Sequence, residues 1–270
     1  MKKQILLSAL VLGGCAGAGA AVLPFEGITE AIHDVTISAK VAGTIESRPV
    51  NEGDPVKAGQ VLFEFERDAE KLEMTRRKLL WESKAELNAA ATDEEIKQKD
   101  YESTKSLAAT TGSVSQDDVA AKQLEYVKAK AEHQRLRTVE EREEIEYNIA
   151  KEDHDRRVVL SPISGVVAQA VYEAGEDAKA QEPLARVVDN SKILLVVNID
   201  ASAGRWIKKG QAVRLQLDSG GEMVDRQGSI SFISPVVDPF SGLLRVKAVF
   251  DNRDGSVRPG VSGRLLIETP

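Results

Sequence analysis

Side chains able to do chemistry are few and scattered in this sequence. His33, His133 and His154 lie far apart, and Cys15 is the single cysteine. A metal site needs His, Cys or carboxylates at ligand spacing, and no such cluster is visible, so no metal is expected. Beyond the initiator only Met74 and Met223 remain, too few thioethers for handling a soft metal. Thr110, Thr111, Ser113 and Ser115 crowd one stretch. No base stands beside them to activate a hydroxyl, and loop hydroxyls are more often helix caps. Gly43, Gly53 and Gly59 do not make a phosphate loop, because no Lys-Ser or Lys-Thr follows at the required spacing. The expectation is a chain without catalytic residues and without a cofactor.

Charge excludes a further class. The 43 acidic and 36 basic residues among 270 leave a formal charge of −7. Neutralising phosphates takes a basic surface, so no nucleic-acid partner is expected. Residues 1–20 read as an export signal, with Lys2 and Lys3 ahead of a short apolar run from Ile5 to Leu12. Two processing sites compete. Ala18-Gly19-Ala20 suits a signal peptidase, whereas Leu12-Gly13-Gly14-Cys15 resembles a lipobox that would lipidate Cys15. The exported body would hold no disulfide pair and depend on packing. No later run is long and apolar enough to span a bilayer. The expected location is the periplasm, with an optional lipid anchor at the inner membrane.

The elements that must carry any function follow from the helix breakers. Between Gly59 and Pro162 there is one Gly, Gly112, and no Pro. Residues 67–156 hold about half of all the charged residues in a third of the chain, so they cannot form a buried core. Ala, Leu, Glu, Lys and Gln dominate there, all good helix formers. Gly112 divides the segment near its middle, and Ser115 followed by Asp117 and Asp118 can cap a new helix. The spacing predicts an antiparallel helical hairpin over 67–156 with its tip at 108–115, each arm roughly 60 Å long. Its seam is expected at Leu72, Leu79, Leu87, Ala90, Ile96, Tyr101 and Leu107 against Leu124, Val127, Ala131, Thr138, Ile145 and Ile149.

The flanks repeat each other. Gly43 to Gly53 is ten residues, as is Gly165 to Gly175, and Gly53 to Leu62 is nine, as is Gly175 to Leu184. Such matched turns between short β-rich runs mark two copies of one unit, each too small to hold a core alone. One domain made of residues 35–66 and 157–190, interrupted by the helices, is the economical reading. Residues 21–34 read as an N-terminal strand or linker. Residues 191–270 alternate apolar and polar through several strands, including Val213, Leu215 and Leu217, then Ile230 and Phe232, then Leu244, Val246, Ala248 and Phe250. Turn signals between them predict a small β-barrel.

The repeated Gly-x-Ile/Val, Gly-Asp/Glu, Leu pattern resembles biotinyl/lipoyl domains. Ala69 stands where their modified Lys would be, so a carrier role fails for want of an amine. A lipoyl-like domain split by an α-hairpin resembles the membrane fusion proteins, or periplasmic adaptors, of bacterial tripartite efflux pumps and type I secretion systems. Lys209-Gly210-Gln211-Ala212-Val213, Pro235-Val236-Val237-Asp238-Pro239 and Arg258-Pro259-Gly260-Val261 look like their barrel domain. The resemblance implies an α+β fold: a split lipoyl-like sandwich, a long coiled-coil hairpin, then a barrel. It implies an inner-membrane exporter of resistance-nodulation-division or ABC type, a TolC-like outer-membrane channel, and a homo-oligomeric ring, a hexamer, as partners. Leu107, Gly112, Val114 and Ser115 would dock on the channel. The Arg of such tips has no counterpart here, since its place falls near Ser103 or Thr104 with only Lys105 close. The sequence stops at Pro270 without the membrane-proximal domain of many pump adaptors, which would leave exporter contact to the barrel and the anchor. A periplasmic coiled-coil scaffold with no transport role is the rival reading.

Overall fold

The computed structural model describes residues 22–268, so Cys15 and both processing sites lie outside the described residues. The chain forms two compact units. One is Val35–Val187, and the other joins the described residues before Val35 to those after Val187.

The second unit is a barrel closed by six strands in the order β1 (Val22–Ser38), β12 (Ser262–Glu268), β9 (Ala212–Ser219), β10 (Glu222–Ile233), β11 (Leu243–Asp251) and β8 (Pro183–Asp200), with β8 pairing back onto β1. Period-two alternation puts Ile193, Leu195, Val197 and Ile199 of β8 inside, facing Leu215, Leu217, Val246, Ala248, Leu265 and Ile267. Phe232 breaks the expected alternation. The register shifts between Ile230 and Phe232, so Ile230 is buried while Phe232 faces out. Residues 22–34, which read as strand or linker, supply the first barrel strand. There Gly27 crosses so close to β8 that a Cβ would lie 2.2 Å from the Val196 carbonyl oxygen. Thr29 and Asn252 are buried polar groups with full partnerships: Thr29 Oγ1 accepts from Val261 N at 2.9 Å, and Asn252 Oδ1 accepts from Val257 N at 3.0 Å.

In the first unit the two halves are braided. Strands β2 (Gly43–Ser47) and β4 (Val61–Phe65) share a sheet with β5 (Val158–Leu160) and β7 (Asp177–Ala178), while β3 (Pro55–Val56) pairs with β6 (Gly165–Ala170). The turns exchange hydrogen bonds reciprocally. Gly53 N donates to Val167 O at 2.8 Å, and Gly175 N to Ile45 O at 2.8 Å. Likewise Ser161 N donates to Gln60 O at 2.9 Å, and Ala39 N to Glu182 O at 2.9 Å. Corresponding residues of the halves differ by a constant 122 positions, which is the pseudo-symmetry that the glycine offsets encode. Ile45, Leu62, Phe63, Phe65, Val167, Leu184 and Val187 from both halves fill one core. Neither half could bury these side chains without the other.

Between the halves run α1 (Asp68–Glu82), α2 (Ala85–Thr111) and α3 (Gln116–Asp155). The first arm is thus two helices meeting at Ser83-Lys84, a break that no Gly or Pro announces. Ala69, at the place of a carrier lysine, sits in the first turn of α1. No helix among the described residues is long and apolar enough to cross a membrane.

Candidate functional site: the hairpin and its tip

The tip is built for a fixed reversal. Gly112 ends α2 in the left-handed conformation at φ 65°, which an L side chain adopts only with strain. Ser115 then starts α3 with a reciprocal cap: its Oγ accepts from Asp118 N at 3.1 Å, and Asp118 Oδ2 accepts from Ser115 N at 3.3 Å. The same carboxylate also accepts the Ser115 hydroxyl at 2.7 Å. Ser115 is exposed, but its hydroxyl is already engaged in the cap. Val114 is half-buried beside it, and Leu107 stands 47 % exposed one turn before the loop. Of the four tip residues expected to dock, Leu107 and Val114 therefore present apolar surface, Gly112 sets the turn, and Ser115 holds it.

The seam of the hairpin is not the stripe expected from leucine spacing. Trp81 stacks on Tyr147 with ring centroids 5.3 Å apart, and Tyr101 on Tyr126 at 6.1 Å. His133 Nδ1 meets Glu94 Oε2 at 2.5 Å, Lys97 Nζ meets Glu125 Oε2 at 3.1 Å, and Arg157 Nη2 meets Glu70 Oε1 at 2.6 Å. Arg77 pairs with Glu146 and Lys84 with Glu140 across the same seam. Ala129 and Ala150 are its buried small residues. The hydrogen bond from Lys97 holds the Glu125 carboxyl below its usual range, and that to Glu140 raises the Lys84 ammonium. These charges clamp the arms. Each of these seven cross-seam pairs is centred within two residues of Gly112, a mirror pattern that the sequence contained and that leucine spacing hid.

Most of the leucines and isoleucines expected inside lie outside. Leu72 is 72 % exposed and Ile145 is 59 % exposed, and Leu79, Ile96, Leu124, Val127 and Ile149 are exposed too. The cause is angular. Leu124, Ala131, Thr138 and Ile145 each follow a seam residue (Lys122, Ala129, Leu136, Glu143) by two positions, about 200° around the helix. Heptad spacing thus recurs on both faces of α3, and apolarity alone picks the wrong one. Only Leu87, Ala90 and Tyr101 of the expected first-arm stripe turn inward, half-buried.

Among the described residues no group of His, Cys, Asp and Glu is arranged to hold a metal ion. Comparisons with known proteins agree on the architecture. A family model described as RND MFP, barrel-sandwich hybrid domain matches residues 33–190, and one described as CusB-like, beta-barrel domain matches residues 193–270. The nodulation protein NolF of Rhizobium meliloti is 26 % identical over 230 residues, covering 85 % of this chain and 59 % of NolF. The multidrug resistance protein MexA of Pseudomonas aeruginosa is 25 % identical over 250 residues, covering 87 % of this chain and 58 % of MexA. The chain thus spans about three-fifths of the length of these relatives. Among solved structures, MacA from Actinobacillus actinomycetemcomitans superposes with a TM-score of 0.74 at 22 % identity, over 93 % of this chain and 80 % of MacA.

Proposed function

Because the chain belongs to the RND membrane fusion protein family, whose barrel-sandwich model covers residues 33–190, we propose that it is a periplasmic adaptor. It links an inner-membrane exporter to an outer-membrane channel, for efflux or secretion across the envelope. The hairpin carries this reading: a 40-residue helix folded back on an arm of similar length, closed by a capped turn with apolar residues at its end. Relatives whose names describe efflux-pump periplasmic linkers, such as ArpA of Pseudomonas putida, support it. The exporter is of resistance-nodulation-division type, in keeping with the family, and the channel is TolC-like. Leu107 and Val114 make the docking contact, on a turn that Gly112 and Ser115 hold in shape.

The ring reading gains from the outward stripes. Leu72 and Leu79 on one arm and Leu124 and Ile145 on the other lie on the backs of the two helices, away from the seam. A hairpin apolar on both edges can pack edge to edge with copies of itself, and head-to-tail contacts of this kind close into rings. Six copies per ring and a lipid on Cys15 complete the proposal. Deleting the gene tests the function. Cells lacking the protein should become hypersensitive to toxic compounds and regain resistance with the full chain. Unchanged sensitivity across a broad panel, with secretion intact, would leave only a scaffold.

A further inference from the structure

Strand polarity gathers several exposed side chains at one end of the barrel. The strands alternate in direction around it, each antiparallel to the next. The start of β1 at Val22, the end of β8 at Asp200, the connection 201–211 and the loop 234–242 therefore share that end. A 3-10 turn, Ala203–Trp206, closes it, with Ala203 and Ile207 sunk into the barrel core.

What this end presents is not ordinary surface. Phe240 is 100 % exposed, Val236 is 68 % exposed and Trp206 is 47 % exposed, with Val237, Val22 and Leu23 also exposed. The loop that offers Phe240 is hydrogen-bonded to itself. Asp238 Oδ1 accepts from Phe240 N and Ser241 N, both at 2.9 Å, and Gly242 N donates to Asp238 O at 2.8 Å. Ser234 Oγ donates to Val236 O at 2.7 Å and accepts from Val236 N at 3.2 Å. The phenyl ring is thus held out in water by a built turn. Arg205, Lys208 and Lys209 are exposed on the neighbouring connection, with no ion pair among the described residues. Asp200 is exposed at this end, Glu268 ends β12 there opposite Val22, and the carboxylate of Asp238 is taken up by backbone amides.

Phe240 and Trp206 protrude, while Val236 and Val237 are exposed where they line a hollow with Asp238 and Pro239. Exposed aromatic and aliphatic side chains beside Lys and Arg without ion pairs have the chemistry of a membrane–water interface. A protein socket would have to be concave to receive them. The covalent chain adds a length argument. Six residues separate Cys15 from Val22, a reach of at most about 25 Å when extended, so lipid on Cys15 would hold this same end near a bilayer. We propose that this end of the barrel docks on an anionic phospholipid bilayer. Phe240, Val236 and Trp206 enter the headgroup region, and Arg205, Lys208 and Lys209 lie against the phosphates. The contact is independent of the channel and the exporter, and it does not require the lipid.

The full chain carrying Cys15→Ser and Trp81→Phe tests this, because Trp206 is then the single tryptophan. With vesicles of phosphatidylglycerol and phosphatidylethanolamine, Trp206 emission should shift to the blue, be quenched by brominated acyl chains, and the protein should co-sediment. Phe240→Ser should weaken vesicle binding about tenfold, and Lys208→Glu with Lys209→Glu about tenfold or more. Phosphatidylcholine vesicles should bind weakly and be indifferent to the charge reversal. The fold of each variant is checked by its melting curve, which these exposed substitutions should leave in place. An unshifted Trp206 spectrum with no co-sedimentation on anionic vesicles overturns the proposal. Undiminished binding by both variants overturns it too. Binding to membranes carrying the exporter but not to protein-free vesicles would likewise overturn it and give this face to a protein partner.

Discussion

Ser in place of Tyr147 or of Ile145 separates the two faces of the second arm. Tyr147 stacks on Trp81 at 5.3 Å with ring planes 12° apart. Such a pair contributes about 1 kcal/mol beyond its buried area, and the lost area adds about 1–2 kcal/mol. Tyr147→Ser should therefore destabilise the hairpin by about 2–3 kcal/mol. Ile145 is 59 % exposed, so only two-fifths of its side chain is covered in the single chain. Of the roughly 2–3 kcal/mol that full burial of an isoleucine supplies, about 1 kcal/mol at most is at stake for folding. In a ring the remainder is buried against the next copy, and losing about 1.4 kcal/mol there weakens each contact about tenfold. Helical melting followed by circular dichroism reads the first quantity, and sedimentation velocity across a concentration series reads the second. Tyr147→Ser should melt early, while Ile145→Ser should melt almost normally yet assemble poorly. If Ile145→Ser melts as early as Tyr147→Ser and sediments like the parent chain, both the seam assignment and the edge-to-edge reasoning are wrong.

Three further outcomes are expected. Gln181 occupies the left-handed region at φ 69°, where its counterpart in the first half is Gly59, so Gln181→Gly should stabilise the Val35–Val187 unit by up to about 1 kcal/mol in chemical denaturation. Gly27→Ala puts a methyl 2.2 Å from the Val196 carbonyl oxygen, and forcing β1 away from β8 should cost the barrel about 2–3 kcal/mol, read as a lower melting temperature. Hydrogen bonds from Arg76 and then Arg77 hold the Glu73 carboxyl down to about 2 from an ordinary 4.5. A lowered carboxylate contributes its stability above the unfolded value and loses it as pH falls through the folded one. The Glu73 carbon resonance should therefore titrate near pH 2, and an Arg76→Ala, Arg77→Ala chain should move it back toward 4.5.

Legibility in the sequence followed the physics of each signal. The split domain could be read because backbone turns demand Gly at fixed places, and Gly43, Gly53, Gly165 and Gly175 keep the same offsets in both halves. The hairpin could be read because Gly112 is the lone breaker in ninety residues of helix formers. Its seam could not, since a heptad of leucine and isoleucine on the outer face competes with an inner one made of aromatics, alanines and ion pairs. The pairing of Trp81 with Tyr147 and of Tyr101 with Tyr126 about the turn was the better clue. Ser83-Lys84 breaks the first arm without any residue that forbids helix. Phe232 escaped because a bulge changes register without a sequence mark. Phe240 escaped because Asp238-Pro239-Phe240-Ser241-Gly242 announces a turn but not which side chain the turn holds out.

What the hairpin tip touches decides whether the protein is an adaptor. A Val114→Cys chain, crosslinked in intact cells with a short thiol-reactive reagent, should give one dominant adduct with an outer-membrane channel protein. The same reagent on Lys128→Cys, on the outer surface of α3 well below the tip, should not give that adduct. Adducts with cytoplasmic proteins alone, or no adduct from Val114→Cys in a strain where the protein is active, would contradict it.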